Sequence, residues 1–382
     1  MASVMSFPTR IVYGKGAIRE LPAELERAGA SRPLLVTDKG ILQAGLLRFI
    51  TPLLEQAGIK AQVFSEFEAN PTDADAIRGI EAYRAFGADS VLGVGGGASL
   101  DMAKAVALLV NHPPPLAQYD DAKGGDAKIT LPVPPILQVP TTAGTGSEVG
   151  RSTVLVIDGT KTVLFSPALM AKAAILDPEL TVGLPPFITA ATGMDALTHN
   201  LEAYIAKGDH PLADAIAIDG LRRIAANLER AVHDGKDLEA REQMLLGSAF
   251  GAIAFQKGLG ACHSVAHALT PVAGTHHGLA NSLMLPTVVS FNRMAAEDRL
   301  ATAAVALGAD PTMSAQERAH LCAELVDDLR GACGLPRRLS QAGVRREMVP
   351  QLVEKAMADA CHRSNPRPVT PADFERMINE AF

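Results

Sequence analysis

GVGGGASLDMAKAVAL, from Gly93 to Leu108, sets a stretch that is mostly glycine between an apolar run and a helical one. Upstream, Asp89 to Val94 (DSVLGV) reads as a strand; downstream, Ser99 to Val110 repeats its apolar residues at helical spacing. A strand turning directly into a helix is the unit from which parallel sheets are assembled. Glycine permits positive φ and close backbone approach, and the free N–H groups of a helix start favour a phosphate. The stretch therefore outlines a pyrophosphate site. Gly93, Gly95 and Ala98 match GxGxxA only loosely. The acidic ribose contact expected about 20 residues further on falls in the PPPLAQ loop. A plain strand-to-helix turn would produce the same glycines.

Working outward, strands are predicted at Pro33 to Asp38, Ala61 to Phe67, Ile136 to Val139, Thr153 to Asp158 and Ala173 to Leu176. Helical spacing covers Ala17 to Ala28, Leu42 to Ala57 and Asp73 to Phe86. This βαβα rhythm predicts a parallel sheet covered by helices. His112 to Lys128, rich in Pro and Gly, reads as an exposed loop. Beyond Leu184 the strand signals fade, and Ile188 to Ala206, Pro211 to Val232, Leu238 to Phe255 and Ser314 to Arg330 have 3.6-residue periodicity. The expected division is residues 1–183, α/β, and residues 184–382, all-helical, with Pro185 and Pro186 at the boundary.

A chain of 382 residues suits two cores rather than one. Its formal net charge of -7 argues against nucleic acid or an anionic membrane as partner, since either would call for a basic field. No window approaches 18 uninterrupted apolar residues, and the N-terminal stretch lacks the layout of a signal peptide. Cys262, Cys322, Cys333 and Cys361 show no CxxC spacing and read as reduced thiols. A cytoplasmic protein acting on small molecules is expected.

PTTAGTGSEVG, Pro140 to Gly150, is a second glycine loop after a strand, with hydroxyls suited to a phosphate or ribose. Asp38, closing the strand PLLVTD, would accept from a ribose hydroxyl and repel a 2′-phosphate, which favours NAD over NADP; adjacent Lys39 softens that repulsion. In open α/β sheets, ligands bind beyond the carboxyl ends of strands, where all three features would lie.

The second half carries a different chemistry. Asp195 and His199 stand four apart, as do His263 and His267, and His277 follows shortly after. Residues i and i+4 share a helical face, so each pair can aim two groups at one point. Oxygen plus imidazole is divalent-metal chemistry. Each residue taken singly has a plainer reading, such as a satisfied core histidine or a carboxylate near a helix start. Their combination in a chain with 10 histidines favours a metal.

IVYGKGAI, VTDKG, FEANPT, GGGASLDMAKA, PTTAGTGSEV, AILDPEL, GMDALTHNLEAYI, the His263 to Pro286 segment and NPRPVT together resemble the iron-dependent, or group III, alcohol dehydrogenase family almost end to end. The resemblance implies a Rossmann-like NAD(P) domain, an all-helical second domain and an active site in the cleft between them. It implies Asp195, His199, His263 and His277 as ligands of Fe(II), with Zn(II) or another divalent ion as the alternative, and His267 lining the site near the nicotinamide. It assigns Asp38 to the ribose, Gly95, Gly96, Gly97 and Ser99 to the pyrophosphate loop, Thr141, Thr142 and Thr145 to the cofactor, and Lys161 to the nicotinamide side. A homodimer or higher homo-oligomer is also implied. Two departures stand out: Ala98 occupies a position that is often Ser, and His276 competes with His277 for one ligand place. His277 is preferred because Gly278 follows it.

The expected reaction is NAD(P)-linked oxidation of an alcohol or reduction of an aldehyde, with the metal polarising the oxygen and His267 relaying a proton or orienting a ligand. A maleylacetate reductase shares the fold without the metal, a dehydroquinate synthase would want more basic residues for a phosphorylated substrate, and a nucleotide- or metal-binding sensor would keep the sites without turnover.

Overall fold

Short runs of branched and aliphatic residues form the predicted parallel sheet in the computed structural model, which describes residues 9–68 and 70–382. Residues 1–8 and Ala69 of the FEANPT motif lie outside the described residues. The sheet has six strands: β1 Arg10–Tyr13, β2 Pro33–Val36, β3 Gln62–Phe64, β4 Ser90–Gly95, β5 Ile136–Pro140 and β8 Ala173–Leu176. Their spatial order is β1-β8-β5-β4-β2-β3, with every pairing parallel. β1 was not expected from the sequence.

Side chains alternate across this sheet, as strand geometry requires. Leu34, Val36, Val91 and Ile136 pack on one face with α4 (Asp73–Phe86) and α5 (Gly97–Leu109); Leu35, Leu92, Val94, Leu137 and Val139 pack on the other with α1 (Leu21–Arg27) and α3 (Thr51–Gln56). Thr72 and Asp75 close a capping box at the start of α4, and Gly87 ends it in the left-handed region. From β2 the chain moves outward to β3 and then back past β2 to β4. The sheet therefore has its switch point between the carboxyl ends of β2 and β4.

Three expectations are corrected. Thr153 to Asp158 is not in the parallel sheet; β6 (Ser152–Ile157) pairs antiparallel with β7 (Thr160–Phe165) in a separate two-stranded ribbon. Asp158 (φ 50°) and Gly159 (φ 73°) make its two-residue turn. Leu42 to Ala57 is not one helix: α2 (Lys39–Gln43), a 3₁₀ turn and α3 follow one another, broken at left-handed Gly45 and restarted at Pro52. His112 to Lys128 is not simply exposed, because its 3₁₀ turns bury Leu116 and Tyr119.

From Leu184 the chain is helical: α6 Pro186–Ile205, α7 Pro211–His233, α8 Leu238–Ala254, α9 Ala261–Ala273, α10 His277–Asn292, α11 Glu297–Ala306, α12 Ala315–Ala332, α13 Val349–Ala358 and α14 Pro371–Glu380. They enclose one large core of Ala, Leu, Val and Met. The chain divides into two compact units, this helical one, which also takes in Ala143–Thr145, and the sheet unit, to which Gly146–Gly183 returns. Among the described residues, no helix is long and apolar enough to cross a membrane.

Candidate metal centre and nucleotide loops

Asp195 and His199 stand on α6, His263 and His267 on α9, and His277 opens α10. Gly278 lets α10 press directly on α6: a Cβ there would meet the Ala191 carbonyl oxygen at 2.2 Å. That contact sets His277 beside Asp195. Asp195 Oδ1 lies 3.5 Å from His277 Nε2 and 3.8 Å from His263 Nε2. One ligand atom from each of the three residues lies within 4.8 Å of the others. Bonds of 2.0–2.1 Å in tetrahedral array separate neighbouring ligand atoms by about 3.4 Å, so the trio fits a divalent cation.

All three atoms also converge on one electropositive group. Asn281 Nδ2 donates to Asp195 Oδ1 at 2.6 Å and faces the Nε2 atoms of His263 and His277 at 3.3 Å each. His199 is not in the trio; its ring stacks on His263 with centroids 4.6 Å apart. His267 stands apart from the other pair member: its ring meets His263 edge-on at 5.9 Å and stacks on His277 at 5.3 Å. His267 Nδ1 pairs with Asp359 Oδ2 at 2.8 Å, and Ser264 Oγ and the Cys361 N–H hold the other carboxylate oxygen.

Burial opposes ionisation of Asp195, but His199, His277, His263 and the Asn281 amide more than offset it and hold the carboxyl well below the usual range. Burial pushes His199 down to about 4 against the pull of Asp195. It is neutral at pH 7, the state in which imidazole binds metal. For His263 burial is outweighed by Glu202, hydrogen-bonded to its ring, and by Asp195, so its pKa is raised. Burial also opposes ionisation of Asp359, whose carboxyl is nonetheless held well below its ordinary value by His267.

The glycine loops occupy the sheet unit's switch point. Gly95, at φ 144°, carries β4 into α5; a Cβ there would lie 2.5 Å from Ser99 Oγ. Gly96 caps α5 and Gly97 begins it. Ser99 is fully buried and donates to Asp38 Oδ2 at 2.7 Å, while Asp38 Oδ1 caps α2 by accepting from the Ile41 N–H. The Ser99 hydroxyl is therefore committed to Asp38. The Thr141 N–H donates to the Gly95 carbonyl, which ties the two loops together, and Thr142 lies against Gly96. Lys161 sits on β7 opposite Val156, and Thr145 belongs to the short segment grouped with the helices.

Models of known families match both parts of this chain: one described as iron-containing alcohol dehydrogenase covers residues 8–178, and one described as the C-terminal part of the Fe-containing alcohol dehydrogenase family covers residues 189–382. The chain belongs to the iron-containing alcohol dehydrogenase family. The 4-hydroxybutyrate dehydrogenase of Cupriavidus necator is 41% identical over 98% of this chain and 98% of its own. A solved 1,3-propanediol oxidoreductase superposes with a TM-score of 0.96 at 35% identity, with 100% of both chains covered. Maleylacetate reductase from Agrobacterium tumefaciens superposes at 0.82 with 26% identity, over 100% of this chain and 98% of that one. The chain is an oxidoreductase of the iron-type alcohol dehydrogenase class, a class that works with a metal and a nicotinamide dinucleotide on small molecules.

Four residues bracing these sites escaped the sequence reading. Glu202 is buried and bonds His263. Asp359 fixes His267, and Asn281 faces the trio. Lys104, fully buried, donates to Ser147 O and Oγ, Gly150 O and Ser152 O, and so clamps the second glycine loop onto α5. Lys104 alone left a local signal, a lysine set in a mostly apolar helix.

Proposed function

We propose that this enzyme oxidises short primary alcohols, diols or ω-hydroxy acids and reduces the matching aldehydes, using Fe(II) at Asp195, His199, His263 and His277 and NAD in preference to NADP. The convergence of Asp195, His263 and His277 carries this reading. When bound, the cation supplies Lewis-acid polarisation of the substrate oxygen and the nicotinamide supplies the hydride acceptor or donor. His199, stacked on His263 and kept neutral, would supply the fourth ligand. Gly95, Gly96 and Gly97 would hold the pyrophosphate by their backbone, Thr141 and Thr142 would add hydrogen-bonding groups, and Thr145 and Lys161 are assigned to the cofactor by the family likeness. Asp38 bonds the ribose and Ser99 fixes its carboxylate. Asp359, ionised, accepts from His267 Nδ1–H, which leaves Nε2 free to take the substrate hydroxyl proton or return it.

Four cysteines without a disulfide suit a cytoplasmic enzyme, and we expect a homodimer or higher homo-oligomer, read by light scattering. The likeness to maleylacetate reductase supports a second, metal-free reading with a dicarboxylate substrate. Chelator-stripped protein is compared with iron- and zinc-loaded protein on a panel of alcohols, aldehydes, 4-hydroxybutyrate and maleylacetate, with NADH and NADPH. Aldehyde turnover that needs the metal is expected. Full activity after stripping, with maleylacetate preferred, would establish the second reading.

A further inference from the structure

We infer that Glu202 is a positioning residue that selects the tautomer of His263 and thereby makes its Nε2 a metal ligand. This rests on the metal reading given above. Glu202 lies on α6, three residues beyond His199, and is 1% exposed. Among the described residues no Lys or Arg pairs with it; its partners are three N–H groups at the start of α9. Oε1 accepts from the Cys262 N–H at 2.7 Å, and Oε2 accepts from the His263 N–H at 3.3 Å and pairs with His263 Nδ1 at 2.6 Å. A carboxylate at a helix N-terminus is favoured by the exposed N–H groups there. Because both its oxygens only accept, Nδ1 must carry the proton. The lone pair is then on Nε2, the atom that faces Asp195 Oδ1 at 3.8 Å. Asn365 Oδ1 accepts from the Ala261 N–H two residues before His263, so the turn that presents His263 is fixed from two sides.

The chemistry makes Glu202→Gln a sharp test. Glutamine keeps one acceptor oxygen and adds two donors. If that oxygen meets the Cys262 N–H, the amide donates to Nδ1, which must give up its proton to Nε2 and close the ligand position. If it meets Nδ1 instead, the amide opposes the Cys262 N–H and the turn shifts. Either way the metal is held less well, and loss of such a supporting partner lowers metal affinity about 10- to 100-fold.

The experiment titrates Zn(II) against a chromophoric chelator in the stripped full-length chain, for wild type, Glu202→Gln, His263→Ala and the double variant. Glu202→Gln is expected to retain its circular dichroism and NADH binding while zinc affinity falls about 10- to 100-fold, and to add nothing in the His263→Ala background. Wild-type affinity in Glu202→Gln, or an equal loss in both backgrounds, overturns the inference. Long-range ¹⁵N–¹H correlation on wild-type protein, at a pH high enough that the ring is neutral, decides it without relying on that variant: a single proton on Nδ1 of His263 supports it, and a single proton on Nε2 overturns it. If His263→Ala binds zinc as wild type does, the metal reading itself is at fault.

Discussion

On the proposed reading, the two units hold their ligands by opposite means. In the sheet unit the binding groups are chiefly backbone, offered at strand ends where topology leaves a crevice, and glycine does the shaping. In the helical unit they are side chains from three separate helices, brought together by packing and braced by the carboxylates of Glu202 and Asp359. A backbone site is set by a local turn and survives changes in nearby side chains. A site of buried charges depends on every partner, because an uncompensated one is costly.

The largest effect expected from this contrast is at Asp195. Asp195→Asn keeps the shape but removes the charge that offsets three imidazoles, and it leaves the Asn281 amide facing another amide. Metal content should fall to background and turnover by about 1,000-fold or more, since a bound cation is worth several kcal/mol of charge stabilisation. NADH binding, measured by fluorescence, should persist. Loss of both together would break the comparison, because the two sites would then be one cooperative structure.

The same contrast decides what the sequence could reveal. Gly93 to Leu108 was legible because strand, turn and helix are adjacent in the chain. Thr153 to Asp158 was assigned to the wrong sheet even though its alternating burial is that of a half-covered antiparallel strand. Asp158 and Gly159, a hairpin turn pair, pointed to the missed partner β7. Leu42 to Ala57 has helical periodicity, but Gly45 and Pro52 break it. At the metal centre, i,i+4 spacing correctly placed each pair on one helix, yet spacing says nothing of ring rotation. It therefore does not show that His199 stacks while His263 points its Nε2 at Asp195. Glu202 and Asp359 lie 61 and 92 residues from the histidines they hold, and no local pattern records such a contact.

A smaller effect separates the units by pH. Glu148, in the second glycine loop, is 2% exposed, and burial raises its carboxyl from 4.5 to about 7 although Lys104 pulls the other way. Between those values the folded state keeps a proton that the unfolded chain has released. Wild-type stability therefore declines as pH rises from 4.5 to about 7. Glu148→Gln lacks that decline, so over this window it should gain on wild type by up to about 3 kcal/mol. Urea titrations followed by circular dichroism at both ends of the window check this. A gap between the two proteins that does not change with pH would show that Glu148 has no shifted proton. Zinc affinity in the helical unit should be the same in both proteins.

The smallest effect is the most specific. Asp38 does two jobs: Oδ1 caps α2 through the Ile41 N–H, and Oδ2, held by Ser99, gives the crevice its negative charge. Asparagine is as good a cap as aspartate, so Asp38→Asn removes the charge and keeps the turn. With no carboxylate to repel a 2′-phosphate, the ratio of kcat/KM for NADPH to that for NADH should rise about tenfold, which corresponds to about 1.4 kcal/mol. The metal content and the thermal midpoint should stay as in wild type. A fall in both cofactors alike would mean that Asp38 serves only as the cap of α2, and the preference for NAD would have to come from elsewhere in the loops. A clean shift in the ratio would show that one side chain can retune the backbone-built site without disturbing its fold, which the charge cluster of the helical unit does not allow.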